Sequence, residues 1–178
     1  MRLHPAIPLA AIAAFFATPA QADEVFAGAY VHAVETPFTF ETGESGVDAV
    51  IGYRFDRIEA LSFVGKPAPY VLGSVNSDGD TNFAAVGLSW KVDLGPAYVR
   101  PGVGIAVHDG PKRRVGPDGF RTDLGSRVVF EPEIAIGTRV SERVSVEASW
   151  MHVSHARIFD SGQNPGIDMM GLRLNLAL

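Results

Sequence analysis

Residues 150–170 read W-M-H-V-S-H-A-R-I-F-D-S-G-Q-N-P-G-I-D-M-M and bring His152, Ser154 and Asp168 into one short span. A serine hydroxyl is a poor nucleophile alone. An imidazole that takes its proton, and a carboxylate that orients the ring and stabilises the imidazolium, together make it competent for acyl transfer. That chemistry is hydrolysis of an ester or amide, and it requires no cofactor. The chain has no cysteine, so a thiol nucleophile and thiol redox chemistry are both excluded.

The three groups can act together only if the elements carrying them share a face. Most of the chain alternates apolar and polar residues in segments of about ten, punctuated by Gly, Pro, Asp and Asn, which is the pattern of β-strands. Eight such segments are expected, at 24–34, 46–55, 69–76, 82–93, 97–108, 128–140, 144–154 and 168–178. In 144–154 the even positions Val144, Val146, Ala148 and Trp150 form an apolar face that His152 and Ser154 continue, because residues two apart point the same way. Strand geometry puts the Cβ atoms of His152 and Ser154 roughly 6 to 7 Å apart, so their side chains must lean together to bond. Asp168 opens the last segment on the face of Met170, Leu172, Leu174, Leu176 and Leu178. If the last two strands are antiparallel neighbours, all three polar groups lie at one end of one wall. Each alone has an ordinary explanation: a His or Ser near a strand end marks a wet zone, an Asp after a loop caps a turn, and Trp150 reads as an interfacial-belt aromatic. Three of them on one apolar face are costly in lipid and point to function.

The wider sequence decides what kind of wall this is. Arg2, the apolar run from Ile7 to Phe16 and the small-residue site Ala20-Gln21-Ala22 resemble a secretory signal peptide, with a mature chain from about Asp23. Residues 1–22 are thus expected to be a leader and 23–178 a single domain. No segment is apolar for the roughly 20 residues that a membrane helix needs. The formal net charge is −5, more negative by one without Arg2, and Lys and Arg are scattered singly, which argues against a nucleic-acid partner. No phosphate-cradling glycine loop or zinc spacing is present.

Two all-β architectures fit the alternation. A barrel in an outer membrane turns its apolar face outward and fills its interior with polar groups, whereas a soluble sandwich does the reverse. The polar faces carry both signs of charge, and Asp48, Arg54, Lys91, Glu131, Glu133, Arg139, Glu147 and Arg173 can form a neutralised internal network. The connections 94–96 and 141–143 are tight while 35–45, 109–127 and 155–167 are long, the alternation of periplasmic turns and outer loops. The connection 56–68 is too long for a periplasmic turn, and 77–81 is short for an outer loop. The fold expected is all-β, an eight-stranded antiparallel up-and-down outer-membrane β-barrel, with a soluble exported β-sandwich as its competitor.

The run His152-Val153-Ser154, followed by Asn164-Pro165-Gly166-Ile167-Asp168, resembles the C-terminal signature of the PagL-type lipid A 3-O-deacylases, also described as acyloxyacyl hydrolases. The resemblance implies a barrel in the bacterial outer membrane that hydrolyses the 3-O-linked acyl chain of lipid A in lipopolysaccharide. By position it implies Ser154 as nucleophile, His152 as base and Asp168 as acid, where the family carries Glu in some members. Asn164 matches the family's loop asparagine, a donor to the oxyanion or a support for the loop. Directly after the serine this chain has His155-Ala156-Arg157 in place of Asn-Ala-Gly or similar. On this reading the partners are lipopolysaccharide and outer-membrane lipid, with His108, Lys112, Arg113 and Arg114 as loop residues able to meet head-group phosphates. The rival is a non-catalytic small barrel for adhesion, binding or membrane integrity.

Overall fold

The computed structural model describes residues 23–39, 42–110, 114–115, 121–122, 124–156 and 166–178. The leader expected at 1–22, Lys112, Arg113 and Asn164 lie outside them. The elements are β1 (Glu24–Val31), β2 (Val47–Arg54), a 3-10 helix (Glu59–Val64), β3 (Ala68–Asn76), β4 (Phe83–Ser89), β5 (Val92–Leu94), β6 (Ala97–His108), β7 (Arg114–Val115), β8 (Arg121–Thr122), β9 (Val128–Arg139), β10 (Val144–Val153) and β11 (Ile167–Ala177).

The large sheet runs β4-β3-β2-β1-β11-β10-β9-β6 and closes through β4 against β6, every pairing antiparallel, so it is a barrel of eight strands. Closure leaves no open edge, as hydrocarbon requires of a membrane-spanning sheet. The short β7–β8 hairpin stands apart from it. One expected strand, 82–93, is interrupted: β4 and β5 both pair with β6, and between them Trp90 N–H reaches the Pro101 carbonyl at 2.9 Å. The connection 56–68 holds the 3-10 helix. Asp23, Leu178, the tight turns 94–96 and 141–143 and the β2–β3 connection lie at one end, the turn end, and the strand ends that open into the connections after β1, β6 and β10 mark the loop end.

Alternation decides the two surfaces. Ile51, Val75, Val86, Ile105, Ile136, Leu172 and Leu174 are all more than half exposed, which makes a continuous apolar exterior far larger than a monomeric soluble protein tolerates. Among the described residues no helix is long and apolar enough to cross a membrane.

The interior is filled by side chains, as the width of an eight-stranded barrel allows. Phe26 and Tyr30 lie over Gly52 and Gly171 on neighbouring strands, so closely that a Cβ at either glycine would collide with the ring. Arg54 and Arg173 lie on Phe26, 4.8 and 5.1 Å from the ring centroid. Arg54 pairs with Glu24 (2.7 Å), Arg100 with Glu147 (2.8 Å) and Glu24 (3.1 Å), and Arg173 with Glu133 (2.7 Å) and Glu147. Tyr70 donates to Glu131. This network corrects the expected one in two respects: Arg139, at the last position of β9, is exposed beyond the rim, and Glu24 and Arg100 are buried members.

At the loop end the mouth is tied by His32, just past β1. Its Nδ1 contacts Asp48 Oδ2 and its Nε2 contacts Glu44 Oε2, each at 2.8 Å, while Asn76 donates to Asp48 and Thr81 to Glu44. Burial alone would depress the imidazole, but the hydrogen bonds to Asp48 and Glu44 outweigh it and raise the pKa from 6.5 to about 9. A raised folded-state pKa gives stability that is fully present below pH 6.5 and lost as pH rises through about 9. Wild type should therefore lose roughly 3 kcal/mol of unfolding free energy between pH 6 and pH 9.5 that His32→Gln does not lose. Urea titrations of the two proteins at both pH values measure this, and equal losses refute the assignment.

Candidate active site

β10 and β11 pair so that His152 lies opposite Asp168 and Trp150 opposite Met170. The register brings the imidazole and the carboxylate onto the same outward face. His152 Nδ1 donates to Asp168 Oδ1 at 2.8 Å, and Trp150 Nε1 donates to the same oxygen at 2.9 Å. Trp150 and His152 stack with ring centroids 5.9 Å apart. Trp150 is thus a hydrogen-bond partner of the carboxylate and more than a belt aromatic.

The face is apolar and outward, but the polar groups on it are covered. Asp168 is 0 % exposed because residues of the β1–β2 connection fold over it. There Thr36 and Thr39 bond each other's backbones in a tight turn, at 3.2 and 3.1 Å, and Val34 N–H reaches the Asp168 carbonyl at 2.8 Å. The Thr36 hydroxyl donates to Asp168 Oδ2, and the Phe38 N–H returns to the Thr36 hydroxyl oxygen at 3.0 Å. Asp168 therefore accepts from Thr36, Trp150 and His152, which fixes both its oxygens. Phe38, at the tip of this turn, is 68 % exposed and lies 6.0 Å from Trp150 between ring centroids.

Ser154 stands one residue past β10. Its backbone continues the ladder onto β9 through Ser154 N–H to the Phe130 carbonyl (3.1 Å) and Phe130 N–H to the Ser154 carbonyl (2.7 Å). The chain leaves the wall at Ala156, whose φ is +51°. Ser154 shares its face with His152, yet among the described residues no hydrogen bond joins their side chains. His152 is held from behind by Gly166, with φ +68°: a Cβ there would lie 2.5 Å from His152 Cε1 and 3.0 Å from Nε2. Gly166 is needed both for the positive φ and for the close approach. His155, beside the serine, is 0 % exposed, and among the described residues neither of its ring nitrogens has a hydrogen-bond partner.

Of the residues singled out from sequence, His152, Ser154 and Asp168 come together at the loop end of one wall. His108 does not present itself to a ligand: it is buried in the mouth, with Nε2 on the Ser126 carbonyl at 2.6 Å. Thr36 and Phe38 were not legible, nor was the seat of Gly166 against the His152 ring. Thr36 lies 132 residues from Asp168, and nothing local marks such a pairing. Among the described residues no cluster of His, Asp and Glu suited to a metal ion occurs.

Comparison with known proteins bears on this wall. The family described as Lipid A 3-O-deacylase (PagL) matches residues 68–177, which takes in β3 to β11 with His152, Ser154 and Asp168. No curated protein matches the chain by sequence. Among solved structures, the crystal structure of the outer membrane enzyme PagL is similar over 87 % of this chain and 99 % of that one, at TM-score 0.62 and 18 % identity. De novo designed transmembrane β-barrels and Neisserial surface protein A (NspA) are each similar at TM-score 0.50 and 12 % identity, over 89 and 88 % of this chain and 96 and 97 % of theirs. At these identities the structural likenesses speak to the fold alone.

Proposed function

Since the chain belongs to the lipid A 3-O-deacylase (PagL) family, we propose that it resides in the outer membrane and hydrolyses the ester that holds the acyl chain at the 3 position of lipid A, with Ser154, His152 and Asp168 as its catalytic groups. The observation that carries this reading is the His152–Asp168 pair on an apolar outer wall, its carboxylate buried and its imidazole half-buried two residues from Ser154. A carboxylate held by Thr36, Trp150 and His152 has no evident use in a wall that only faces lipid.

With Nδ1 protonated and bound to Asp168, Nε2 of His152 carries the lone pair and is the base. Ser154 Oγ attacks the ester carbonyl as its proton passes to Nε2, giving a tetrahedral oxyanion. Collapse breaks the ester bond, and the leaving sugar hydroxyl takes the proton from the imidazolium. Water, deprotonated by the same nitrogen, then releases the 3-hydroxy fatty acid and restores Ser154. The hydrogen bond from Ser154 to His152 forms when substrate is bound, as catalytic contacts commonly tighten then. Asn164 is the proposed oxyanion donor or loop support. Outer-membrane barrels keep long loops outside, so this end meets the leaflet where lipopolysaccharide resides. Phe38 and Trp150 give the acyl chain an aromatic surface beside the reacting carbonyl.

The test is incubation of detergent-solubilised protein with lipopolysaccharide and assay of released 3-hydroxy fatty acid by mass spectrometry; no release by folded protein would favour the non-catalytic rival. Thr36 acts through Asp168. Thr36→Val leaves one carboxylate oxygen without its donor, a loss of about 1–3 kcal/mol, so kcat should fall about tenfold with KM unchanged. Thr36→Ser should restore it, and an unaltered kcat in the valine variant would show the contact to be merely structural.

A further inference from the structure

At the turn end, the β2–β3 connection exposes apolar side chains. Phe63 is 81 % exposed and Val64 48 %, both on the 3-10 helix, and Phe55 at its approach is 45 % exposed. A connection in water puts polar groups at its tip, as Ser141-Glu142-Arg143 does at the same end of the barrel.

This connection is a fixed object. Phe55 N–H bonds the Pro69 carbonyl (2.8 Å) and Ile58 N–H the Pro67 carbonyl (2.9 Å), which closes its base. Gly65 ends the helix at φ +88°, and Lys66 pairs with Glu59 at 2.6 Å. Trp90, at the break between β4 and β5, donates its indole N–H to the Val64 carbonyl at 2.8 Å, which ties the helix to the wall. Through Trp90, and through Phe55 against Tyr53 at 4.8 Å between ring centroids, the patch is continuous with the apolar exterior of the barrel.

We infer that this helix is an interfacial foot, with Phe63 and Val64 seated in the acyl and head-group boundary of the phospholipid leaflet at the turn end. Its charged residues balance, Asp56 and Glu59 against Arg57 and Lys66, so a zwitterionic lipid surface suits it and an anionic one is not demanded. Aromatic side chains prefer that boundary, and a short amphipathic segment lies in its plane. Because the foot is rigidly tied to β4, it fixes the depth of the barrel and hence the height of the opposite end. The inference rests on the membrane barrel alone and is independent of the catalytic reading.

The absence of cysteine permits a single-site label. Ser62→Cys keeps Phe63 intact and carries an environment-sensitive nitrobenzoxadiazole probe next to it. Two reference sites are Glu142→Cys on the polar turn of the same end and Leu172→Cys on the outer wall. In phosphatidylcholine vesicles with bromines high on the acyl chain, the probe at 62 should be blue-shifted and quenched at least about twofold more than at 142. Phe63→Glu in the same labelled protein should return it to the behaviour of 142. A probe at 62 that matches 142 while the probe at 172 is quenched overturns the foot and leaves the membrane barrel standing. Shielding from aqueous iodide without bromine quenching means that protein, not lipid, covers the helix, and also overturns it. Lack of quenching at 172 as well shows that the barrel is not in the bilayer, and the inference falls with it.

Discussion

Ser154→Ala and His152→Ala should each lower the release of 3-hydroxy fatty acid by at least about a thousandfold, with the barrel still folded. The serine variant loses only Oγ. The two backbone hydrogen bonds between Ser154 and Phe130 are available to alanine, so the end of β10 keeps its place on β9. The double variant should be no slower than either single one, because residues that act as a unit lose their function once. Asp168 separates orientation from charge. Asp168→Asn keeps the shape of the site but can donate to Nδ1, which favours the tautomer with its proton on Nε2 and removes the base; a loss of about 10⁴-fold is expected. Asp168→Glu should retain more activity than Asp168→Asn. Heat-modifiable electrophoretic mobility checks the fold of each variant, and full activity in folded Ser154→Ala or Asp168→Ala would remove that residue from the mechanism.

What could be read from the sequence follows the range of the forces involved. Period-two alternation is local, and it gave the wall, the outward face of His152 and Ser154, and the inward face of Asp48, Arg54, Glu133, Glu147 and Arg173. It also put Arg139 inside, because alternation says which way a side chain points and nothing of where the barrel rim lies. The break at Trp90 had no local sign, since Ser89-Trp90-Lys91-Val92 alternates like any strand; the hydrogen bond from Trp90 to Val64 across the β2–β3 connection accompanies it. The site was half legible. Asp168 could be placed on the right face by counting, but its cover of Thr36, Phe38 and Thr39 comes from the first connection of the barrel. That contact exists only because β1 pairs with β11 and closes the sheet. Sequence could show that three polar groups shared a greasy wall. Closure explains how they are kept from the lipid.

The internal charges make the strongest stability prediction. Arg173 is buried and pairs with Glu133 and Glu147, while Arg54 and Arg100 supply the other cations and Glu24 the third anion of the linked set. Three guanidinium groups thus face three carboxylates in a space without bulk water. Arg173→Met keeps most of the volume but leaves Glu133, among the described residues, with Arg54 at 4.0 Å as its one ion-pair partner and Glu147 with Arg100 as its one. Removing one partner of a buried ionic group costs about 3–5 kcal/mol, chiefly the desolvation of the charge left behind. The urea midpoint in detergent should fall accordingly, and far more than for an exposed-rim change such as Arg139→Met. If uncompensated charge is the cause, neutralising the carboxylate should repair it: Glu133→Gln should be destabilising in wild type and less so, or stabilising, when added to Arg173→Met. Such a coupling of opposite sign in the double-mutant cycle distinguishes electrostatics from lost packing, because a cavity left by the shorter side chain would not be relieved by glutamine. Specific activity per folded molecule should change little in these variants, since the network lies on the inner face and the proposed catalytic groups on the outer one.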